Sequence, residues 1–317
     1  MNQRRIFLKK SFTAVAAALI APSVLKVNSS VVAEMAEPLP IYLPLKLSIL
    51  SYSFHGLVSR GMQDIFGFFE TCRYRYNLNT ADLWNGHLMS TDDEYIAKVK
   101  EAMDERELYI PNLACDGCHI LNTDPGKNKV TNENAWKHLK AAKKLGIGFV
   151  RIDAGPQLAE VKTDWTNQEF DTIVKKYKEY AQYAYDNGFK AGAENHMGPP
   201  IFWKNMKKLK EAVNHPGFAF CVHIGGWKGT AEEIVLADKE CAPYAAHTHI
   251  PWNICDGPLA QKMNDLKAGG YKGYYSIEHH SARNEYEMVA IQLAKVQAVL
   301  RSWEMGGDGS EVSKKLK

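Results

Sequence analysis

Short apolar runs alternate with longer amphipathic stretches from Leu45 to Trp303. The runs at 45–52, 76–83, 108–113, 148–153, 189–194, 218–223, 244–249 and 273–278 are rich in β-branched and aromatic residues and read as strands. Between them the apolar positions recur at helical spacing, over 62–73, 134–145, 202–213, 259–268 and 284–303. Thr91, Thr166 and Thr230 each stand three residues before a glutamate (Glu94, Glu169, Glu233), the pattern of a capping box that opens a helix. The first of these helices runs to about Arg106, and the second ends at Asn187-Gly188. Gly146 stops the helix before the fourth strand. Strict strand–helix alternation predicts a parallel sheet with helical crossovers. Eight such units predict closure into a (β/α)8 TIM barrel, one α/β domain. An open doubly wound sheet would favour a glycine-rich phosphate turn after its first strand. That turn here is Ser53-Phe54-His55-Gly56-Leu57.

Four of the later runs stop on an ionisable group: Glu194, His223, His247 and Glu278, each roughly one strand–helix repeat after the last. A parallel barrel presents its chemistry from the C-terminal ends of several strands. Two carboxylates and two imidazoles converging there would hold one divalent metal ion. Left apart, they would be buried ionisable groups without partners, which is costly.

Composition narrows the function classes. The apolar content of 45% supports a full core, and the net charge of +3 gives no electrostatic footprint for nucleic acid. The N-terminus carries Arg4-Arg5 followed by Phe7-Leu8-Lys9, then an Ala-rich apolar stretch too short to span a membrane. This resembles a twin-arginine export signal, with Val31-Val32-Ala33 as the cleavage site. Residues 1–36 are therefore assigned to the signal, 37–305 to the barrel and 306–317 to a mobile Gly/Ser/Lys-rich tail. The expected location is the periplasm, reached through the twin-arginine machinery without stable membrane insertion. The six cysteines include one Cys-x-x-Cys, Cys115-Asp116-Gly117-Cys118. With no second such pair for a zinc ribbon, and no thioredoxin-like local fold, it reads as a loop at a strand end with incidental redox chemistry.

Several strand ends carry a resemblance to a known family. They are Tyr52-Ser53-Phe54, Asp82-Leu83-Trp84, Ala193-Glu194-Asn195-His196-Met197-Gly198, His247-Thr248-His249 and Ser276-Ile277-Glu278. Together they resemble the xylose-isomerase-like TIM-barrel family of sugar isomerases and epimerases, relatives of the apurinic endonucleases. The resemblance spans nearly all of the chain after the signal and implies metal ligands at Glu194, His247 and Glu278. The family's usual aspartate on the sixth strand is His223 here, and its usual lysine after the seventh-strand histidine is His249. The extra nitrogen shifts the expected ion from magnesium toward manganese, cobalt, zinc or iron.

A divalent ion can polarise a sugar carbonyl and stabilise the enediolate left when the neighbouring proton departs. The expected reaction is isomerisation or epimerisation of an unphosphorylated keto- or aldo-sugar. Glu194 and Glu278, with His196, His249 and His119, are the candidate proton carriers. His55, Trp84, Arg151, Trp227 and Trp252 lie at or just beyond strand ends and are candidate sugar contacts. Arg151 reads equally as half of an ion pair with Asp153. His138 and His215 fall on or near helices and are expected at the surface. The same chemistry would serve a 3-keto-glycoside lyase or a 2-hydroxy-glycal hydratase. A non-catalytic sugar-binding protein is a more distant reading, and a nuclease would need more metal ligands and a basic groove.

Overall fold

The computed structural model describes residues 45–156 and 162–315. The expected export signal lies outside them. Eight strands form the sheet: β1 (Leu47–Ile49), β2 (Leu83–Trp84), β3 (Leu113–Cys115), β4 (Phe149–Ile152), β5 (Lys190–Glu194), β6 (Phe218–His223), β7 (Ala245–Pro251) and β8 (Tyr274–Glu278). All pairings are parallel, in the order β1-β8-β7-β6-β5-β4-β3-β2. The ends of that order meet at Leu50 and Asp82: Asp82 N donates to Ile49 O, and Ser51 N to Asp82 O. This is the barrel that the alternating pattern predicts.

The helices follow as α1 (His55–Ser59), α2 (Ile65–Glu70), α3 (Asp93–Glu105), α4 (Asn128–Leu145), α5 (Asn167–Asp186), α6 (Trp203–Val213), α7 (Ala231–Cys241), α8 (Trp252–Cys255), α9 (Leu259–Ala268), α10 (Glu285–Glu304) and α11 (Ser310–Lys315). Thr166 and Thr230 make full capping boxes with Glu169 and Glu233. Thr91 does not: α3 is entered from Asp92, and Glu94 pairs instead with Lys98 one turn on. Gly146 ends α4 with φ +70°, a left-handed cap that glycine takes without steric cost. Residues 306–317, expected to be a mobile tail, include α11. It is approached by bonds between backbone and side chain, from Gly309 N to Ser302 Oγ and from Asn264 Nδ2 to Asp308 O. Among the described residues no helix is long and apolar enough to cross a membrane.

The core has two unequal parts. The large one fills the space between strands and helices and includes Ile49, Phe68, Val150, Tyr177, Phe220 and Ile277. The small one, Phe149, Ala219 and Cys221 with Ala246 against it, plugs the barrel. Strand side chains alternate between these two faces. Gly192 lies level with Arg151 and Ala219, and a Cβ there would sit 1.8 Å from Ala219 O, so only glycine allows this approach of β5 to β6. Beyond that plug the barrel interior is polar and ionisable toward the C-terminal strand ends.

A candidate metal and sugar site at the strand ends

The deepest polar layer is centred on Asp82, just before β2. It is wholly buried and accepts hydrogen bonds from Asn112 Nδ2 (2.8 Å), Ser276 Oγ (2.7 Å) and His247 Nε2 (2.6 Å). Burial alone would raise its carboxyl pKa, but His247 and His249 hold it well below the usual carboxylate range. His249 bridges this layer to the next. Its Nε2 stands 3.4 Å from Asp82 Oδ2, and its Nδ1 donates to Glu194 Oε1 at 2.7 Å.

The second layer is organised by Arg151 on β4, which is almost fully buried. Nη1 donates to Asp153 Oδ2 (2.7 Å) and Asp116 Oδ1 (3.0 Å), and Nε lies 3.0 Å from Glu194 Oε2. One buried cation thus faces three carboxylates. Both oxygens of Glu194 are engaged, one by His249 and one by Arg151. Burial would raise its pKa; those two cations outweigh it and keep the group ionised. His196 follows on the loop, with Nδ1 3.2 Å from Asp153 Oδ2. Burial lowers the His196 pKa, but Asp153 more than reverses this and pushes it up to about 9.

Above these layers opens a small cavity of about 130 Å³, lined by Leu50, Tyr52, Trp84, Asp116, Arg151, Glu194, His196, His223, Glu278 and His280. Glu278 is 8% exposed and is flanked by His223 Nε2, 3.1 Å from Oε2, and by His280 Nε2, 3.4 Å from Oε1. Oε2 is nevertheless buried without a well-aligned hydrogen-bond donor. Burial would raise the Glu278 pKa; the two imidazoles hold it well below the usual range.

The four residues expected to share one ion therefore divide. His223 and Glu278 meet, with His280 as their third partner. Ligand atoms of these three all lie within 4.8 Å of one another. Glu194 lines the same cavity but is held by Arg151 and His249. His247 does not join them, because β7 runs on to Pro251 and the strands are staggered. His249 stands level with His223, and Pro251, not His247, stands level with Glu278. His247 is one layer down, on Asp82. The triad of His223, Glu278 and His280 fits a metal ion: two imidazoles and one carboxylate line the cavity, and one oxygen of that carboxylate, the buried Oε2, has no well-aligned hydrogen-bond donor.

The other expected site residues are scattered. Trp84 reaches the cavity and donates Nε1 to Asp116 Oδ2 at 2.7 Å. His249 acts from beneath, shut off from the cavity. His119 lies beside the second layer, 3.9 Å from Asp153 Oδ2. His55 stacks on Tyr52, ring centroids 4.4 Å apart, and so backs the cavity wall from outside. Trp252 is covered by Lys295, 5.4 Å above its ring, and does not line the cavity. Trp227 is a correction of a different kind. It is buried against α7, its Nε1 donating to Asp238 Oδ1 at 2.6 Å, so the loop after β6 turns it into the core. Trp227→Phe should cost about 1–3 kcal/mol of stability, since it strips one partner from a buried carboxylate. It should leave KM unchanged, and urea unfolding beside steady-state kinetics checks both halves.

Sequence reasoning passed over Asp82 as an acceptor, Asp116 and Tyr52 as walls, and His280 as a ligand. His280 stands two residues past Glu278, and a doubled histidine at a strand end was the available signal. His138 is also misplaced by the expectation of a surface position. It is half-buried on α4, with Nδ1 3.5 Å from Cys118 Sγ.

No curated protein sequence matches the chain. Solved structures match its fold. A 3-keto-D-glucoside 4-epimerase from E. coli is 13% identical over 80% of this chain and 99% of that one, with a TM-score of 0.61. The probable 3-DHS dehydratase of Bacillus anthracis is 14% identical over 80% and 99%, with a TM-score of 0.60. A D-tagatose 3-epimerase-like protein is 16% identical over 80% and 98%, with a TM-score of 0.58. The family model described as xylose isomerase-like TIM barrel matches residues 69–301, and that span takes in β2 to β8 with every carboxylate, histidine and arginine of the cavity, but neither β1 nor Tyr52. By that match the chain belongs to the xylose isomerase-like TIM barrel family.

Proposed function

We propose that the protein is a metal-dependent enzyme that moves the proton beside the carbonyl of an unphosphorylated sugar, as an isomerase or epimerase. The observation that carries this reading is one small cavity bounded by two ionised carboxylates, Glu194 and Glu278, with a histidine pair on one side and a buried arginine on the other. His223, Glu278 and His280 would hold a divalent ion, which when bound supplies Lewis-acid polarisation of the sugar carbonyl. Glu194 lines the same space from β5 and would take the proton once Arg151 or His249 releases one of its oxygens. Arg151 and the protonated His196 add positive charge where an enediolate oxygen would develop. Trp84 and Tyr52 offer aromatic faces to the sugar.

A second reading has its own observation. His196 keeps a proton up to about pH 9 and spends only Nδ1 on Asp153, which leaves Nε2 to protonate a leaving group. Loss of a β-substituent from a 3-keto-glycoside, or hydration of the resulting glycal, would use that acid. The test is one incubation. Metal-loaded protein is given aldoses, ketoses and 3-keto-glycosides in deuterated water and followed by NMR. Deuterium beside the carbonyl with an isomerised sugar supports the first reading, and an unsaturated or hydrated product the second. No exchange and no product in any of them would sink both.

The choice of an unphosphorylated substrate rests on export, for which Arg4-Arg5 is the motif. The double substitution Arg4→Lys/Arg5→Lys should hold the uncleaved precursor in the cytoplasm, as read by fractionation and immunoblot. Undiminished periplasmic protein would remove that motif from the argument.

A further inference from the structure

We propose that Cys115 and Cys118 form a reversible dithiol–disulfide pair, with Cys118 as the nucleophile, oxidised by a small peroxide and linked to the cavity through Asp116. All six cysteines are buried and free. Five of them are ordinary buried thiols; burial pushes Cys115 and Cys72 well up, and Cys255 to about 12. Cys118 alone is moved the other way, to about 6, by its neighbour Cys115 first and then by His138, with Arg151 adding to this.

The geometry explains the difference. The Cys115 and Cys118 sulfurs and His138 Nδ1 all lie within 4.8 Å of one another. Gly117, at φ +67°, supplies the tight turn that brings the two sulfurs together. Asn85 fixes the imidazole. Its Oδ1 accepts from Asp116 N (3.0 Å) and its Nδ2 donates to Asp116 O (2.9 Å), so its amide orientation is set. That same Nδ2 faces His138 Nε2 at 3.5 Å, which makes Nε2 an acceptor and places the ring proton on Nδ1. Nδ1 donates to Asn134 O at 2.8 Å and stands 3.5 Å from Cys118 Sγ. A proton held there stabilises a thiolate at Cys118 and disfavours a metal ion at the same nitrogen. The remaining ionisable neighbours are Arg151 on β4, Asp116 between the two cysteines, and Tyr180 on α5.

The step balances with hydrogen peroxide as the two-electron oxidant. The Cys118 thiolate attacks one peroxide oxygen, the O–O bond breaks, and hydroxide leaves with a sulfenic acid on Cys118. The Cys115 thiol then displaces that hydroxyl, forming the disulfide and water. Asp116 and Gly117, which join the two buried cysteines in the turn, are both exposed, and the oxidant proposed is the smallest peroxide. The consequence reaches the cavity because Asp116 holds both Arg151 Nη1 and Trp84 Nε1. Pulling Cys118 Sγ from His138 onto Cys115 reshapes the turn that carries Asp116.

The test uses the full chain. Reduced protein is treated with hydrogen peroxide, quenched, and the peptide spanning 115–118 is weighed before and after dithiothreitol. The expected result is a loss of two hydrogens within that peptide, restored by reductant. Cys118→Ser should abolish the cross-link, and Cys115→Ser should stall at an oxidised Cys118. In His138→Gln the midpoint of the rate's pH profile should move from about 6 toward about 8.5, the value of an unassisted thiol. Oxidation should also change tryptophan emission in the wild type and leave Trp84→Phe unchanged. The wild-type peptide decides the matter even where a variant folds poorly. No cross-link, a cross-link to another cysteine, a pH profile unmoved by His138→Gln, or identical emission changes with and without Trp84 would each overturn the proposal. The readouts are independent of sugar turnover, so their failure is separable from failure of the proposed function.

Discussion

Glu278→Gln is expected to abolish binding of the proposed metal ion and to lower turnover by about 10³-fold, the equivalent of several kcal/mol of lost Lewis-acid stabilisation. The substitution keeps the size and shape of the side chain and removes the one negative charge between His223 and His280. Two neutral imidazoles alone hold a divalent ion weakly, and Glu194 cannot replace the charge while Arg151 and His249 occupy its oxygens. The variant should fold, because among the described residues Glu278 pairs only with His223 and His280 and its Oε2 makes no well-aligned hydrogen bond. Metal content of the purified protein and kcat under metal-saturating conditions check the two halves together. Full metal content with undiminished turnover would move the site away from Glu278.

Much of the fold was legible because its signals are local. Two of the three Thr-x-x-Glu patterns became capping boxes, and the limits of β6 and α9 match the apolar runs residue for residue. The third pattern failed because Asp92 was also available to start the helix. Strands β2 and β3 sit later in the chain than their apolar runs suggest: Thr80 and Tyr109 pair only as an isolated bridge.

The site was legible in kind and not in membership. Strand ends announced that Glu194, His223 and Glu278 face one mouth. The stagger between neighbouring strands, which decides that His249 and not His247 lies level with His223, leaves no trace in the residue order. Loop direction is equally silent, so Trp84 and Trp227 look alike in sequence while one lines the cavity and the other bonds Asp238 in the core. Arg151 is the residue whose weight was least visible. Its ion pair with Asp153 could be read from their spacing; its contacts with Asp116 and Glu194 depend on three strands meeting.

Arg151→Met is accordingly expected to be the most destabilising of the substitutions considered, by roughly 3–5 kcal/mol at neutral pH. Methionine fills much of the volume but leaves the buried Asp153 and Glu194 facing one another without their cation, with the half-exposed Asp116 beside them. The pH dependence carries the argument further. In the wild type Asp153 and Glu194 are both held below their ordinary values, against burial, by Arg151 and neighbouring histidines. Their contribution to stability is therefore present above the unfolded carboxylate range, about 4, and is lost as pH falls through the folded values. Without the guanidinium, burial and repulsion from Glu194 outweigh what His196 alone supplies at Asp153, whose folded value then rises above its unfolded one. The sign reverses: the folded state now takes up protons first, so the variant regains stability as pH falls from 7 toward 5. Urea unfolding of both proteins at pH 5 and pH 7 measures this directly. The gap between them should be widest at pH 7 and narrow at pH 5. A gap that is constant with pH would mean that Arg151 stabilises the barrel by packing alone, and that the three carboxylates find other partners once it is gone.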